Sequence, residues 1–261
     1  MNTILDRIIL DKRRRLESTK AVCSVEKIRQ AAERNVTITF PFRHAIGAAG
    51  PRIIAEFKRA SPSKGIINDR TNPMEMAKKY QSGGAAAISV LTEEDHFLGS
   101  VKDLDPIRNV TALPILLKDF VIDNYQIYEA ARIGASAILL IASILSYKSL
   151  ESFQSLAHSL GLDVVIEVHD PTEMMVAIDT GAKMIGVNNR NLKTFEVSLD
   201  VSRQLIEMRP EGTLMISESG ISSSGDIAEL HSLGYDAFLI GEKLMLSNDP
   251  SAELRRLYGE G

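Results

Sequence analysis

Five short stretches place a charged, amide or hydroxyl-flanked acidic side chain at the end of an apolar run: IIAEFK (Ile53–Lys58), ILLKDF (Ile115–Phe120), VVIEV (Val164–Val168), IGVNNR (Ile185–Arg190) and MISE (Met215–Glu218). They supply two lysines, Lys58 and Lys118, and three glutamates, Glu56, Glu167 and Glu218, with Asn188 and Arg190 beside them. A lone Lys or Glu at a strand end is usually a salt bridge or a solvated loop residue. Five such ends facing one place would instead make a partly desolvated pocket, where ammonium and carboxylate groups shift each other's pKa values. General acids and bases arise in this way.

Side-chain alternation tests whether they can face one place. Along a strand, residues two apart share a face, so Ile54, Glu56 and Lys58 point one way and Ile53, Ala55 and Phe57 the other. The same parity pairs Leu116 with Lys118, Val165 with Glu167 and Gly186 with Asn188, and it places Phe120 on the Lys118 face. A second chemistry is written later in the chain. SESGISSSGD (Ser217–Asp226) and LIGEKLM (Leu239–Met245) each follow an apolar run with a small residue or glycine, leaving backbone amides free to converge on a phosphate.

The elements that must hold these residues alternate regularly from Arg52 onward. Strand candidates are Ile53–Phe57, Ala86–Leu91, Pro114–Phe120, Ala137–Ala142, Val164–Val168, Met184–Asn188, Leu214–Ser217 and Ala237–Ile240, eight in all. Helical periodicity lies between them at Pro73–Gln81, Asn124–Ile133, Tyr147–Leu160, Thr172–Asp179, Val201–Met208 and Gly225–Leu233. Gly83, Gly134, Gly161, Gly181 and Gly234 stand where helices would end in a left-handed residue. Near-continuous apolar strands separated by helices indicate a parallel sheet covered on both faces. Eight βα units predict an α/β fold, an eight-stranded parallel (β/α) TIM barrel, with residues 1–50 as an N-terminal helical extension and 1–261 as one domain. The structural alternative, an open doubly wound sheet, would ordinarily carry GxGxxG after its first strand, and the motif is absent. Barrel enzymes build their sites at the carboxyl ends of the strands, where all five charged stretches end.

Composition sets the outer bounds. The chain has 261 residues, 44% of them hydrophobic, and Lys+Arg 30 against Asp+Glu 34 gives a net charge of −4, which offers no general attraction to nucleic acid or to an anionic membrane. No apolar run approaches the roughly 20 residues of a membrane-spanning helix. Ile4, Leu5, Ile8 and Ile9 follow helical spacing, and Asp6 and Arg7 interrupt them too early for a secretory signal. The basic run Lys12–Arg15 sits beside Asp11 and Glu17, as a solvated helix face does. One cysteine, Cys23, has no disulfide partner and no metal-ligand spacing around it, so a reducing cytoplasm is expected. A monomer is expected, with a weak dimer as the alternative.

The motifs IAEFKRASPSKG, LTEEDHFLGS, LLKDF, LLIASIL, IEVHD, IGVNNRNL, SESGI and LIGEKLM, in that order, resemble the successive strand-end motifs of the indole-3-glycerol-phosphate synthase family of tryptophan biosynthesis. The resemblance runs from about Leu5 to the C-terminus. Leu117 stands where a basic or small residue is common, and Lys243 replaces a small residue after Gly241 and Glu242. The resemblance implies ring closure of 1-(2-carboxyphenylamino)-1-deoxyribulose 5-phosphate to indole-3-glycerol phosphate, with loss of carbon dioxide and water. It implies no cofactor and no metal. It also implies roles: Lys118 as general acid, Glu167 as general base, and Glu56 and Lys58 completing the charged cluster. Ser61, Asn188, Arg190 and Glu218 would contact substrate, Phe120 would pack on its aromatic ring, and Ser219, Gly220, Gly241 and Glu242 would surround its phosphate.

Two other functions fit parts of this pattern. A phosphoribosylanthranilate isomerase-like barrel would be expected to carry a cysteine base after its first strand, where this chain has Glu56 and Lys58. A non-catalytic phosphosugar-binding protein would have no use for the acid and base residues.

Overall fold

The computed structural model describes residues 3–34 and 36–260. Residues 1, 2, 35 and 261, which the expected extension and domain include, lie outside the described residues. Two helices come first, α1 (Ile4–Val22) and α2 (Val25–Glu33), followed by the short α3 (Pro41–Ile46). Thr3 opens α1 with a capping box, its hydroxyl taking the Asp6 amide while the Asp6 carboxylate takes the Thr3 amide. Then come the barrel strands: β1 (Arg52–Phe57), β2 (Ala87–Leu91), β3 (Ile115–Lys118), β4 (Ala137–Ile141), β5 (Asp163–Val168), β6 (Met184–Asn188), β7 (Leu214–Glu218) and β8 (Ala237–Ile240). Each pairs in parallel with its neighbours and β8 pairs with β1, so the sheet is a closed barrel rather than the open alternative.

Closure divides the apolar residues by parity. Ile53, Ala55, Phe57, Leu117 and Ile166 face outward into the layer beneath the helices. Ile54, Leu116, Val165, Ile216 and Leu239 fill the interior. Leu117 therefore points away from the barrel interior, as its parity requires.

The N-terminal helices serve both ends of this interior. Ile8 of α1 joins the interior cluster with Phe120 and Leu139, while Phe42 and Ile46 of α3 join it too. Phe42 and Ile46 are completely buried. The backbone N–H of Arg43 donates to Asp163 at the first residue of β5 (2.8 Å), which sets α3 across the amino ends of the strands.

Two local expectations change. The strand expected over Pro114–Phe120 ends at Lys118, because the Asp119 carboxylate turns to accept the Phe120 N–H (2.7 Å) and the Thr92 hydroxyl (2.8 Å). Gly134, Gly161, Gly181 and Gly234 take positive φ as expected, whereas Gly83 has φ −82° and the left-handed turn falls to Gly84. The backbone of Gly83 is instead pressed against Leu254 and Ser251 of the C-terminal helix Pro250–Leu257, so its lack of a side chain serves packing.

Candidate active site

Register brings the charged stretches together at the carboxyl ends of the strands. Lys118 ends β3, Asn188 lies opposite Glu218 across β6 and β7, and Glu167 is level with Ile141 of β4. The carboxylate of Glu56 bridges two ammonium groups: Lys58 Nζ at 2.6 Å and Lys118 Nζ at 3.3 Å. Lys118 also donates to Glu218 Oε2 at 2.7 Å. The three carboxylates are almost wholly inaccessible, at 2% for Glu56, 3% for Glu167 and 0% for Glu218, so their charges act through little water.

Burial and pairing pull these groups apart in pKa. Burial opposes ionisation of Glu56, but Lys58 and Lys118 outweigh it and hold the carboxyl down at about 2. Burial likewise opposes charge on Lys118, and Glu218, Glu56 and Glu167 together push its ammonium well above the ordinary lysine range. Glu218 goes the other way. Burial pushes it up, Lys118 pulls it back, and the nearby Glu167 and Glu56 charges leave it at about 7. Its Oε1 has no hydrogen-bond partner. Glu167 stays below the usual carboxyl range: burial raises it, and His169, Lys118 and the Asn188 amide lower it further.

Two glycines make room for this cluster. A Cβ at Gly186 would run into the Glu218 carboxylate, and one at Gly241 into the Glu56 carboxylate. The cleft above holds Glu56, Lys58, Lys118, Glu167, Asn188 and Arg190 on its polar side. Its apolar side comes from Phe97, Phe120, Leu139 and Ile141, with Ile4, Leu5 and Ile8 of α1. Phe120 and Phe97 meet at 6.1 Å in a tilted arrangement, so an aromatic ring of a ligand would find an apolar wall beside the ammonium groups. Phe120 thus reaches the cleft from the turn after β3 rather than from the strand. Ser61, in the short hairpin of Ala60–Ser61 with Gly65–Ile66, lines the same cleft, its hydroxyl 3.4 Å from that of Ser63.

The cleft continues into a wider polar recess bounded by Ser219, Gly220, Gly241, Glu242, Lys64 and Arg190. Gly241 caps the five-residue helix Glu242–Leu246. Ser219 and Gly220 both have positive φ, 66° and 82°, and turn the chain sharply after β7. Lys64 lies 3.4 Å from Glu242, and Lys243 turns away to pair with Glu253 at 3.0 Å. Every candidate site residue read from the sequence borders one of two adjoining spaces except Glu218, which was expected to contact substrate but is fully buried and reaches the cleft only through its hydrogen bond with Lys118.

The family model described as indole-3-glycerol phosphate synthase matches residues 5–257. The chain belongs to the indole-3-glycerol phosphate synthase family. Curated members include the indole-3-glycerol phosphate synthase of Lachnospira eligens, 46% identical over 263 residues that cover 98% of each chain. That of Ruminiclostridium cellulolyticum is 44% identical over 257 residues, covering 98% of this chain and 99% of the other. The fold is shared more widely. The 3-hexulose-6-phosphate synthase of Salmonella typhimurium superposes with a TM-score of 0.64 at 17% identity, over 80% of this chain and 100% of the other.

Some of what surrounds the site was not foreseen from the sequence. Lys12 of α1 is buried and pairs with Asp119 at 2.8 Å, tying the extension to the residue between Lys118 and Phe120. Nothing in local sequence links positions 107 apart. His169 and Glu173 stand behind Glu167, and here a signal was present: His169 is two residues beyond Glu167 on the same strand parity, and Glu173 is four beyond His169.

The turn after β7 yields a prediction. At Gly220 any side chain must adopt φ 82°, and a Cβ would sit 2.6 Å from Val197 Cγ1. Gly220→Val should therefore distort the recess and raise KM for a phosphorylated substrate more than it lowers kcat. An unchanged KM in steady-state kinetics would remove this turn from the phosphate site.

Proposed function

We propose that the chain catalyses the family's reaction, the decarboxylating and dehydrating ring closure of 1-(2-carboxyphenylamino)-1-deoxyribulose 5-phosphate to indole-3-glycerol phosphate. The observation that carries this is the Lys118 ammonium, held between two buried carboxylates beside an apolar wall that ends at Phe120. Ring closure requires a weakly nucleophilic anilino ring to attack a ketone, so a positive donor must meet the oxygen as it gains charge.

In this reading the anilino ring lies on Phe120 and its ketone oxygen replaces one carboxylate contact of Lys118. The proton Lys118 gives is then restored from Glu218, whose titration near 7 suits a group that both holds and releases it. Lys58, fixed by Glu56, orients the substrate carboxylate until carbon dioxide leaves. Lys118, recharged by Glu218, protonates the hydroxyl so that it departs as water, and Glu167, ionised and facing the cleft, takes the proton the ring system loses in the same dehydration. Asn188, Arg190 and Ser61 position polar groups of the substrate. Ser219, Gly220, Gly241 and Glu242 enclose its phosphate, where amides after β7 and β8 suit an anion.

The isomerase alternative finds no thiol at the end of β1, which carries Glu56 and then Lys58. We also propose that the chain is one domain, because Ile8, Phe42 and Ile46 share the apolar cluster of the barrel interior. A reducing cytoplasm is supported by the single free Cys23 and by the biosynthetic family, and a monomer, with a weak dimer as alternative, completes the reading. No helix of the described residues is long and apolar enough to cross a membrane.

Turnover decides among the functions. Purified protein given the carboxyphenylamino substrate should develop indole fluorescence and release one carbon dioxide per product. An isomerase or a binding protein would give neither.

A further inference from the structure

We infer that His169, braced by Glu173, is a positioning residue that aims the Glu167 carboxylate into the reaction cleft and keeps it ionised there. The inference rests on the reading of Glu167 as the base and extends it to groups outside the cleft. His169 follows β5 and stands behind Glu167, on the wall of a separate space that also contains Glu173 and Asp170 and excludes Glu167. Its Nε2 lies 3.3 Å from Glu167 Oε1, an ion-pair contact when the ring is protonated, though without hydrogen-bond geometry. On its other side Nδ1 lies 3.0 Å from Glu173 Oε2, and the same oxygen accepts the His169 backbone N–H at 2.8 Å. One oxygen thus grips both the ring and the backbone of His169.

The brace is itself anchored. Glu173 is in the first turn of the helix Pro171–Asp179, and its backbone N–H donates to the capping Asp170 at 2.9 Å. The side chain that holds the ring thus starts from a backbone fixed in a capped helix turn. Burial disfavours an imidazolium at this place, yet the Glu167 and Glu173 carboxylates on its two sides push the His169 pKa up to about 10. A cation next to a carboxylate lowers the carboxyl pKa by about 1–3 units, which offsets the burial of Glu167.

Other charges face the same base from other strands. Lys118 of β3 favours its ionised form, and Glu218 of β7 faces Lys118 and feels the Glu167 charge. From β6, the Asn188 amide lowers the carboxyl pKa without adding charge. Around the outer face of His169 lie Arg190, Lys193 and Glu196 in addition to Asp170. Of these groups His169 alone is a cation that touches Glu167 and no other site carboxylate among the described residues. It can be removed without disturbing the Lys118 pairs.

The sign of the effect follows. Removing the cation raises the Glu167 pKa, so less of the base is ionised at a given acidic pH and the acid limb of the kcat profile moves to higher pH. In His169→Gln that limb should move up by about 1–3 pH units, while kcat on the plateau falls much less. Glu173→Gln, which leaves the ring present but loosens it, should move the limb in the same direction by less. If His169→Gln fails to fold, Glu173→Gln alone decides. A limb that stays in place in the folded variants, even with a uniformly lower kcat, would overturn the inference and leave only a packing role. Glu167→Gln separates the two levels: if it keeps full turnover, both the base and its support fall. If it is inactive while both limbs stay in place, the support alone falls.

Discussion

Lys118→Met is expected to lose nearly all turnover, about 10³-fold or more in kcat, while substrate still binds. A positioned proton donor typically contributes about 10²–10⁴-fold, and loss of a charge aimed at a developing oxyanion adds to that. Met keeps the length of the side chain and removes the proton. Lys118→Arg keeps the charge, but its planar guanidinium cannot reproduce the point contacts of the ammonium with Glu56 and Glu218, so it should fare little better. An interaction made only in the transition state lowers kcat and kcat/KM together. The substitution also strips Glu56 and Glu218 of a buried partner, so the variant's folding should be verified by circular dichroism before its kinetics are compared. Lys58→Met is the control. Lys58 pairs with Glu56 alone and not with Glu218, and an anion-orienting lysine should mainly raise KM. The reverse pattern, with Lys58→Met inactive at saturation and Lys118→Met active, would move the proton donor to the end of β1.

Glu167→Gln should cost about 10²–10⁴-fold in kcat with little change in KM. The amide fills the same volume and accepts no proton at any accessible pH. In the proposed mechanism the base works where Glu167 is ionised. Its lowered pKa places that range above the acid side of the carboxyl range, with activity lost as pH falls through it. The variant's residual rate should therefore lose the acid limb altogether. Near-normal turnover across pH would remove Glu167 from the proton transfer.

The strands were legible because each is a nearly unbroken apolar run in a sheet buried on both faces, and the period of two then assigns Glu56, Lys118, Glu167 and Asn188 to one side. Met184–Asn188 and Ala237–Ile240 lie where the pattern places them. Phe120 shows where the pattern stops: parity carries it to the cleft along a strand, whereas Asp119 ends the strand and a turn delivers it. The Lys12 and Asp119 pair was hidden, because a buried ion pair between α1 and the end of β3 leaves no periodic trace. Lys12 looked like part of a solvated basic run. The role of α3 beneath the barrel was hidden for the same reason, since Phe42 and Ile46 in a six-residue helix give no periodicity long enough to read. The pKa order was out of reach as well. Glu56 and Glu218 look alike in sequence, and what separates about 2 from about 7 is that Glu56 touches two ammonium groups while Glu218 touches one and feels the Glu167 and Glu56 charges as well.

The division of labour at the barrel mouth is tested most directly by a crystal structure with an unreactive substrate analogue in which the ketone is reduced to an alcohol. The new hydroxyl should lie within hydrogen-bond distance of Lys118 Nζ, with the anilino ring on Phe120, the substrate carboxylate toward Lys58, and the phosphate between the turns at Gly220 and Gly241. A hydroxyl held by Lys58, with Lys118 still closed between Glu56 and Glu218, would contradict it.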